Sequence, residues 1–292
     1  MPENGLAPSQ VYPAGRNFDE VLREGTARRM AGLHIGRDTP VASLGSCFAD
    51  EFARHMIEKR FNYVVTEPSL FPGSADWGHV YTIPGFRQIV SYSTVDDFPI
   101  PLERGSKGWF DPLREWRSGY FATPDEAREK IVKHRAASRR AFAETAVLIF
   151  TMGQNEAWVE PRSGLLWARR PVNPEGFEVR TFSFEENVAL LKDALARLRE
   201  LNPRLDVLLT VSPVASMATF TDNEIITHSF AAKCLLRTVA EEITRTVPRV
   251  WYFPSFEMAL AYNTATQMSD NRHVKNQRID QIFEMLDDTL VR

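Results

Sequence analysis

The sequence predicts an α/β fold with a parallel sheet covered by helices on both faces, and three observations predict it. Short apolar runs occur at residues 41–44, 146–152, 206–211 and 250–253, the composition of strands buried on both faces. Between them lie stretches of ten or more residues with helical periodicity, the crossovers that parallel strands require. No internal repeat and no dividing linker interrupts the pattern. Residues 40–292 are therefore expected to form one α/β domain behind an N-terminal arm at 1–39.

The arm holds the breakers Pro13, Gly15 and Gly36, with one short helix expected around residues 18–30. The run at 41–44 ends at Gly45, and Phe48, Phe52 and Met56 then recur every four residues. That is strand, tight turn, helix. Residues 63–65 read as a second strand, and residues 83–90 as a helix with Pro84 in its first turn. Residues 93–122 interleave Pro99, Pro101, Gly105, Gly108, Pro112 and Gly119 with Trp109, Phe110, Trp116 and Tyr120, a loop-rich insertion with aromatic anchors.

Thr123-Pro124-Asp125-Glu126 supplies an N-cap, a proline at the first helical position and a capping-box glutamate for a helix to about residue 142. The strand at 146–152 follows, closed by Gly153. Residues 159–182, with Gly164, Pro171, Pro174 and Gly176, read as a hairpin-bearing insertion. Ser183 and Glu186 make a second capping box, and Leu190, Leu191, Ala194, Leu195 and Leu198 form an apolar stripe up to Asn202-Pro203. The strands at 206–211 and 250–253 flank a helix at 225–246, and a last helix covers 274–290.

With 43% hydrophobic and 25% charged residues the chain can bury a large core. A net charge of -3 and a pI near 6.1 give no basic field for phosphate backbones, which excludes nucleic acid as the expected partner. Two cysteines, Cys47 and Cys234, fit a reducing compartment. Pro2, Asn4, Gly5 and Pro8 occupy a start with no apolar signal region, and no run reaches membrane-spanning length. Together these place the protein in the cytoplasm. His34, His55, His79, His134 and His228 lack metal-site spacing, so no metal is expected. Gly153-Gln154-Asn155 lacks the further glycines and lysine of a nucleotide loop, and no bound cofactor is expected.

In doubly wound sheets ligands bind beyond the carboxyl ends of the strands. Gly45-Ser46-Cys47 puts two nucleophiles at a helix N-terminus, where unpaired amides and the dipole favour a thiolate or oxyanion. Cys47 is the better nucleophile and Ser46 needs a base, although a capping Ser46 and a buried, inert Cys47 account for an isolated Gly-Ser-Cys equally well. Asp270 and His273, three residues apart on a turn entering a helix, can form an oriented base, or else a helix cap beside an exposed imidazole. Asn155, just past a strand, is an oxyanion donor or a plain turn residue. Glu156, Trp158 and Glu257 stand where substrate could be bound, with structural roles as the alternative. Lys233 could meet a phosphate or carboxylate, though a snorkelling surface lysine is the commoner arrangement.

Leu44-Gly45-Ser46-Cys47-Phe48-Ala49 resembles the signature of the GSCFA family, among the SGNH hydrolases. Gly78-His79-Val80-Tyr81-Thr82, residues 153–158, Thr210-Val211-Ser212-Pro213-Val214, residues 233–237 and Phe253-Pro254-Ser255-Phe256-Glu257 resemble further family segments in order, over about residues 40–275. The resemblance implies a flavodoxin-like three-layer α/β/α fold of the SGNH type. It also implies a nucleophile in the first block, oxyanion donors at Gly78 and Asn155, and the pair Asp270 and His273. SGNH enzymes usually present Gly-Asp-Ser. In that register Cys47 stands at the serine position and Ser46 at the aspartate position, which ranks Cys47 first.

The function expected is acyl transfer through a covalent intermediate: an O-acetyltransferase type of enzyme acting on a glycan precursor or small hydroxylated metabolite. Acyl-coenzyme A could serve as co-substrate. An esterase and a non-catalytic glycan- or partner-binding module are the alternatives. Aromatic residues at 105–121 and 158–182 could shape an acceptor cleft, since such rings stack on sugars.

Overall fold

The computed structural model describes residues 10–12, 18–69, 72–114, 119–260 and 270–290. The first nine residues, Pro13, Gly15 and Trp116 therefore lie outside the described residues. In chain order the elements are α1 (Phe18–Arg29), β1 (Val41–Gly45), α2 (Cys47–Glu58), α3 (Ile83–Thr94), β2 (Glu103–Gly105), β3 (Gly108–Phe110), α4 (Pro124–Glu144) and β4 (Val147–Met152). They continue with β5 (Glu156–Val159), β6 (Leu166–Trp167), β7 (Glu178–Thr181), α5 (Phe184–Leu201), β8 (Asp206–Val211), α6 (Ile225–Thr246), β9 (Val250–Tyr252), α7 (Ser255–Leu260) and α8 (Asn276–Leu290).

The central sheet has the order β1-β4-β8-β9, with every pair parallel. Its strands are apolar on both faces because both faces are covered. Ala42, Leu44, Leu148, Phe150, Val207 and Leu209 point into a core built with α3, α4, α5 and α6. Val41, Val147, Ile149 and Leu208 point the opposite way, against residues of α2, α7 and α8. The result is three layers, helix on sheet on helix, and each large apolar side chain so buried contributes about 1.5–3 kcal/mol.

Helix starts follow their caps. Ser183 and Glu186 form the reciprocal box expected for α5. At α4, Thr123 accepts from the Glu126 N–H, but the Glu126 carboxylate reaches the Ala122 N–H instead of the cap residue, so the box is half made. Two further expectations are corrected, and one helix is unforeseen. Residues 63–65 make only a single parallel bridge, Tyr63 to Val41, because Thr66 already bonds to Ser74 and the chain leaves the sheet edge. The helix α7 follows Pro254, and at six residues it is too short for a periodic signal. The second insertion begins earlier than 159, because Glu156 already pairs with Thr181 in the antiparallel sheet β6-β5-β7.

The two insertions lean on each other. Trp167 Nε1 donates to Glu103 at 3.0 Å and the Ala168 N–H to the Pro112 carbonyl at 2.9 Å. Buried Arg114, which donates to the Asp76 carbonyl at 3.0 Å, anchors the first insertion to the domain. Among the described residues no helix is long and apolar enough to cross a membrane.

Candidate active site

The turn from β1 into α2 depends on a glycine. Gly45 has φ +143°, and a Cβ there would stand 2.3 Å from the Thr151 carbonyl oxygen. With that approach open, the Ser46 N–H donates to the same oxygen at 2.9 Å, stitching the turn to β4. Ser46 Oγ, buried, accepts the Phe48 N–H at 3.3 Å and caps α2. Cys47 is then the first helical residue, half-buried, with its own N–H among the donors a helix N-terminus leaves unpaired. Burial first and the Asp50 carboxylate second push the Cys47 thiol up, while Lys233 and Arg272 pull it back. The resting sulfur is a thiol and needs a base.

The base stands in the last loop. Asp270 Oδ1 accepts the N–H groups of Arg272 and His273, each at 3.0 Å, and Asn271 takes the left-handed φ of 57° that closes this turn. The chain thereby folds the His273 ring back, with Nδ1 2.5 Å from Asp270 Oδ2. These bonds, the imidazole's foremost, hold the Asp270 carboxyl well below the usual carboxylate range. Arg272 ties the loop to the Ala215 carbonyl at 3.2 Å, and buried Val274 anchors it in the core.

Ser46, Cys47, Gly153, Lys233, Arg272 and His273 line one cleft of about 460 Å³. The first strand's end and the last helix's entry thus meet at one rim of the sheet. Lys233 is only 4% exposed and donates to the Gly153 carbonyl at 2.6 Å. Burial pulls its ammonium down to about 7. The snorkelling arrangement expected of Lys233 is therefore corrected: the side chain points inward, not to bulk water. A Cβ on Gly153 would stand 3.0 Å from Ser46 Cβ, so the glycine lets the end of β4 close on the nucleophile turn.

Other expected site residues lie apart from this cleft. Gly78 lines a narrower recess with Asp50 and His79. Asn155 is buried; its Nδ2 donates to the Phe182 carbonyl at 2.7 Å, and its Oδ1 accepts from Asn187 at 2.8 Å. Glu156 holds the loop before α6 through Thr219, the Phe220 N–H and His228. Glu257 receives Arg237 and the Tyr252 hydroxyl. Both glutamates do structural work. Trp158 walls an adjoining cleft.

One group escaped the sequence reading. His79 Nε2 lies 3.0 Å from Asp50, and its Nδ1 lies 2.8 Å from the Tyr81 hydroxyl. His79 and Tyr81 both line the Cys47 cleft. With Nε2–H donated to Asp50, the Tyr81 hydroxyl donates to Nδ1, forming a second carboxylate-oriented imidazole. Its signal in the sequence is Asp50, one turn after Cys47, together with the segment from Gly78 to Thr82.

Fold and cleft define a class: a parallel α/β protein with a thiol opening the helix after its first strand and a carboxylate-oriented histidine entering its last. The chain belongs to the GSCFA family, whose model matches residues 40–286. That span contains both halves of the cleft. No curated protein matches the chain.

Proposed function

We propose that this protein is an SGNH-type acyltransferase that carries the acyl group on Cys47. The observation that carries the reading is that the Cys47 thiol and the Asp270-oriented His273 wall the same cleft. His273 takes the thiol proton, and the sulfur attacks an ester or thioester carbonyl. The tetrahedral oxyanion lies against the Cys47 N–H at the positive end of α2. Gly78 and Asn155 lie outside the cleft wall, and the Asn155 amide already donates to the Phe182 carbonyl, so this reading gives neither an oxyanion role. As the carbonyl re-forms, the leaving group departs with the proton from His273. An acceptor hydroxyl then gives its proton to His273 and attacks the thioester, and the Cys47 sulfur leaves and takes that proton back as the thiol. Ser46 is the weaker nucleophile in this reading because its oxygen already serves the helix cap.

A thioester intermediate suits transfer, since a thiol accepts an acyl group readily from a thioester such as acyl-coenzyme A and passes it to a sugar or metabolite hydroxyl. Hydrolysis is the second reading, favoured by the 45% exposure of the His273 side chain, which admits water to the base. The test is to incubate the full chain with labelled acetyl-coenzyme A and with activated esters. An acyl adduct by intact mass, absent in Cys47→Ala, supports the proposal. No adduct with either donor class, together with ligand binding unchanged in Cys47→Ala and His273→Ala, assigns the chain to binding without catalysis.

A further inference from the structure

The cleft wall is charged in one sense. Arg169, Arg170, Lys233 and Arg272 line it, and no carboxylate does among the described residues. Among the described residues none of these four basic side chains pairs with a carboxylate, although the protein carries a net charge of -3 and its arginines elsewhere regularly do: Arg87 with Asp193, Arg114 with Asp111, Arg237 with Glu257. Arg169 is held on the face of Phe110 at 4.1 Å and donates to the Tyr120 hydroxyl, which fixes its guanidinium. Arg170 stands beside the Trp158 ring at 6.0 Å.

A second cleft, of about 110 Å³, opens from the first and shares His79, Tyr81, Gln154, Arg169, Arg170 and Phe220 with it. Trp158 and Trp167 add aromatic faces there. Its one carboxylate among the described residues, Glu156, is consumed by Thr219, the Phe220 N–H and His228. Arg169 and Arg170, neighbours in sequence, both line the two clefts where they adjoin; guanidinium groups suit the oxygens of a phosphate, and aromatic walls suit the ring beside it. A single carboxylate would neutralise one of the wall's charges; a phosphate ester or diphosphate brings more.

We infer that the substrate of this cleft is phosphorylated, with its phosphate on Arg169 and Arg170 and its adjoining ring in the aromatic cleft. The further claim that its reacting group reaches Cys47 rests on the acyl-transfer reading. The phosphate belongs either to the acyl donor or to the acceptor.

The test has two arms, both on the full chain. In the binding arm, inorganic pyrophosphate, AMP and adenosine are titrated by calorimetry. Pyrophosphate and AMP bind, adenosine binds about tenfold or more weakly, and Arg170→Ala, at an exposed position, removes the difference. Arg169→Lys, which keeps the charge but loses the fork, weakens AMP as well. Equal binding of AMP and adenosine, or none of either, overturns the inference without reference to catalysis.

In the acylation arm, acetyl-coenzyme A is compared with the neutral thioester of N-acetylcysteamine. Faster loading of Cys47 from acetyl-coenzyme A puts the phosphate on the donor. Equal loading, followed by faster discharge to AMP than to adenosine, puts it on the acceptor. Loading and discharge that ignore charge overturn the inference while acyl transfer stands. Failure of every donor to load, with phosphate binding intact, overturns acyl transfer alone.

Discussion

Lys233 Nζ stands 2.6 Å from the carbonyl oxygen of Gly153, and both residues wall the cleft that holds the Cys47 thiol. Burial is the cause that pulls this ammonium down to about 7 from its ordinary 10.5. Between those two values the unfolded chain holds the proton that the native protein has lost, so stability rises with pH across that window. Below it both states are protonated and the full cost of the buried charge remains. The wild type should therefore gain about 2 kcal/mol on Lys233→Met between about pH 7 and about pH 9, measured by urea unfolding. Parallel pH curves for the two proteins would sink the assignment. The lost bond to Gly153 shifts the variant at every pH and leaves this slope alone.

The thiol's own environment makes a second prediction. Burial and then Asp50 push Cys47 up, with Lys233 and Arg272 opposing. Alkylation by iodoacetamide should be slow at neutral pH and quicken as pH rises. Asp50→Asn removes one of the raising charges, so its alkylation near pH 7 should be roughly two- to tenfold faster. Lys233→Met should be slower than wild type. A common rate for all three proteins would mean that these charges do not reach the sulfur.

The parallel sheet was legible because strands buried on both faces are unbroken apolar runs, as at Val147–Met152, and because caps such as Ser183 with Glu186 announce their helices. The pair of Asp270 and His273 was legible because it is local, closed within one turn. Partnership across the fold was not. Nothing in the neighbours of Lys233 says that its stem turns inward to Gly153, 80 residues away, because a lysine among apolar residues on a helix reads the same buried or snorkelling. His79 and Asp50 lie 29 residues apart and meet only through tertiary packing. Asn155 failed to reach the cleft for a similar reason: a distant partner, Phe182, takes its amide.

Asp270 acts through His273, and its replacement separates orientation from packing. Asp270→Asn keeps the shape but offers a donor where Nδ1–H needs an acceptor, which favours the wrong imidazole tautomer. Acyl transfer should fall roughly 10²- to 10⁴-fold, with His273→Ala at least as damaged, while circular dichroism and the unfolding midpoint stay near wild type. The ratio of rates from single-turnover loading of Cys47 is the measurement. Near-wild-type loading in Asp270→Asn would remove the carboxylate from the catalytic scheme.

The two glycines at the nucleophile turn should fail in different ways, because what a methyl group meets at each is different. At Gly45 it would meet Thr151 backbone atoms, the oxygen at 2.3 Å and the nitrogen at 2.7 Å, on a φ of +143° that side chains rarely adopt. The strand β4 cannot yield there without breaking the sheet, so Gly45→Ala should cost roughly 3 kcal/mol or more. At Gly153 the contacts are Ser46 Cβ at 3.0 Å and Tyr81 Cδ1 at 3.3 Å, which can shift by tenths of an ångström. Gly153→Ala should lose only about 1–2 kcal/mol of stability. Its acylation rate should drop further than that loss implies, since the side chains that shift are those around the reacting sulfur, and misplacement of roughly 1 Å costs about 10²-fold. Urea unfolding beside single-turnover acylation tests both; a Gly45→Ala protein as stable as wild type would contradict the turn that positions Cys47.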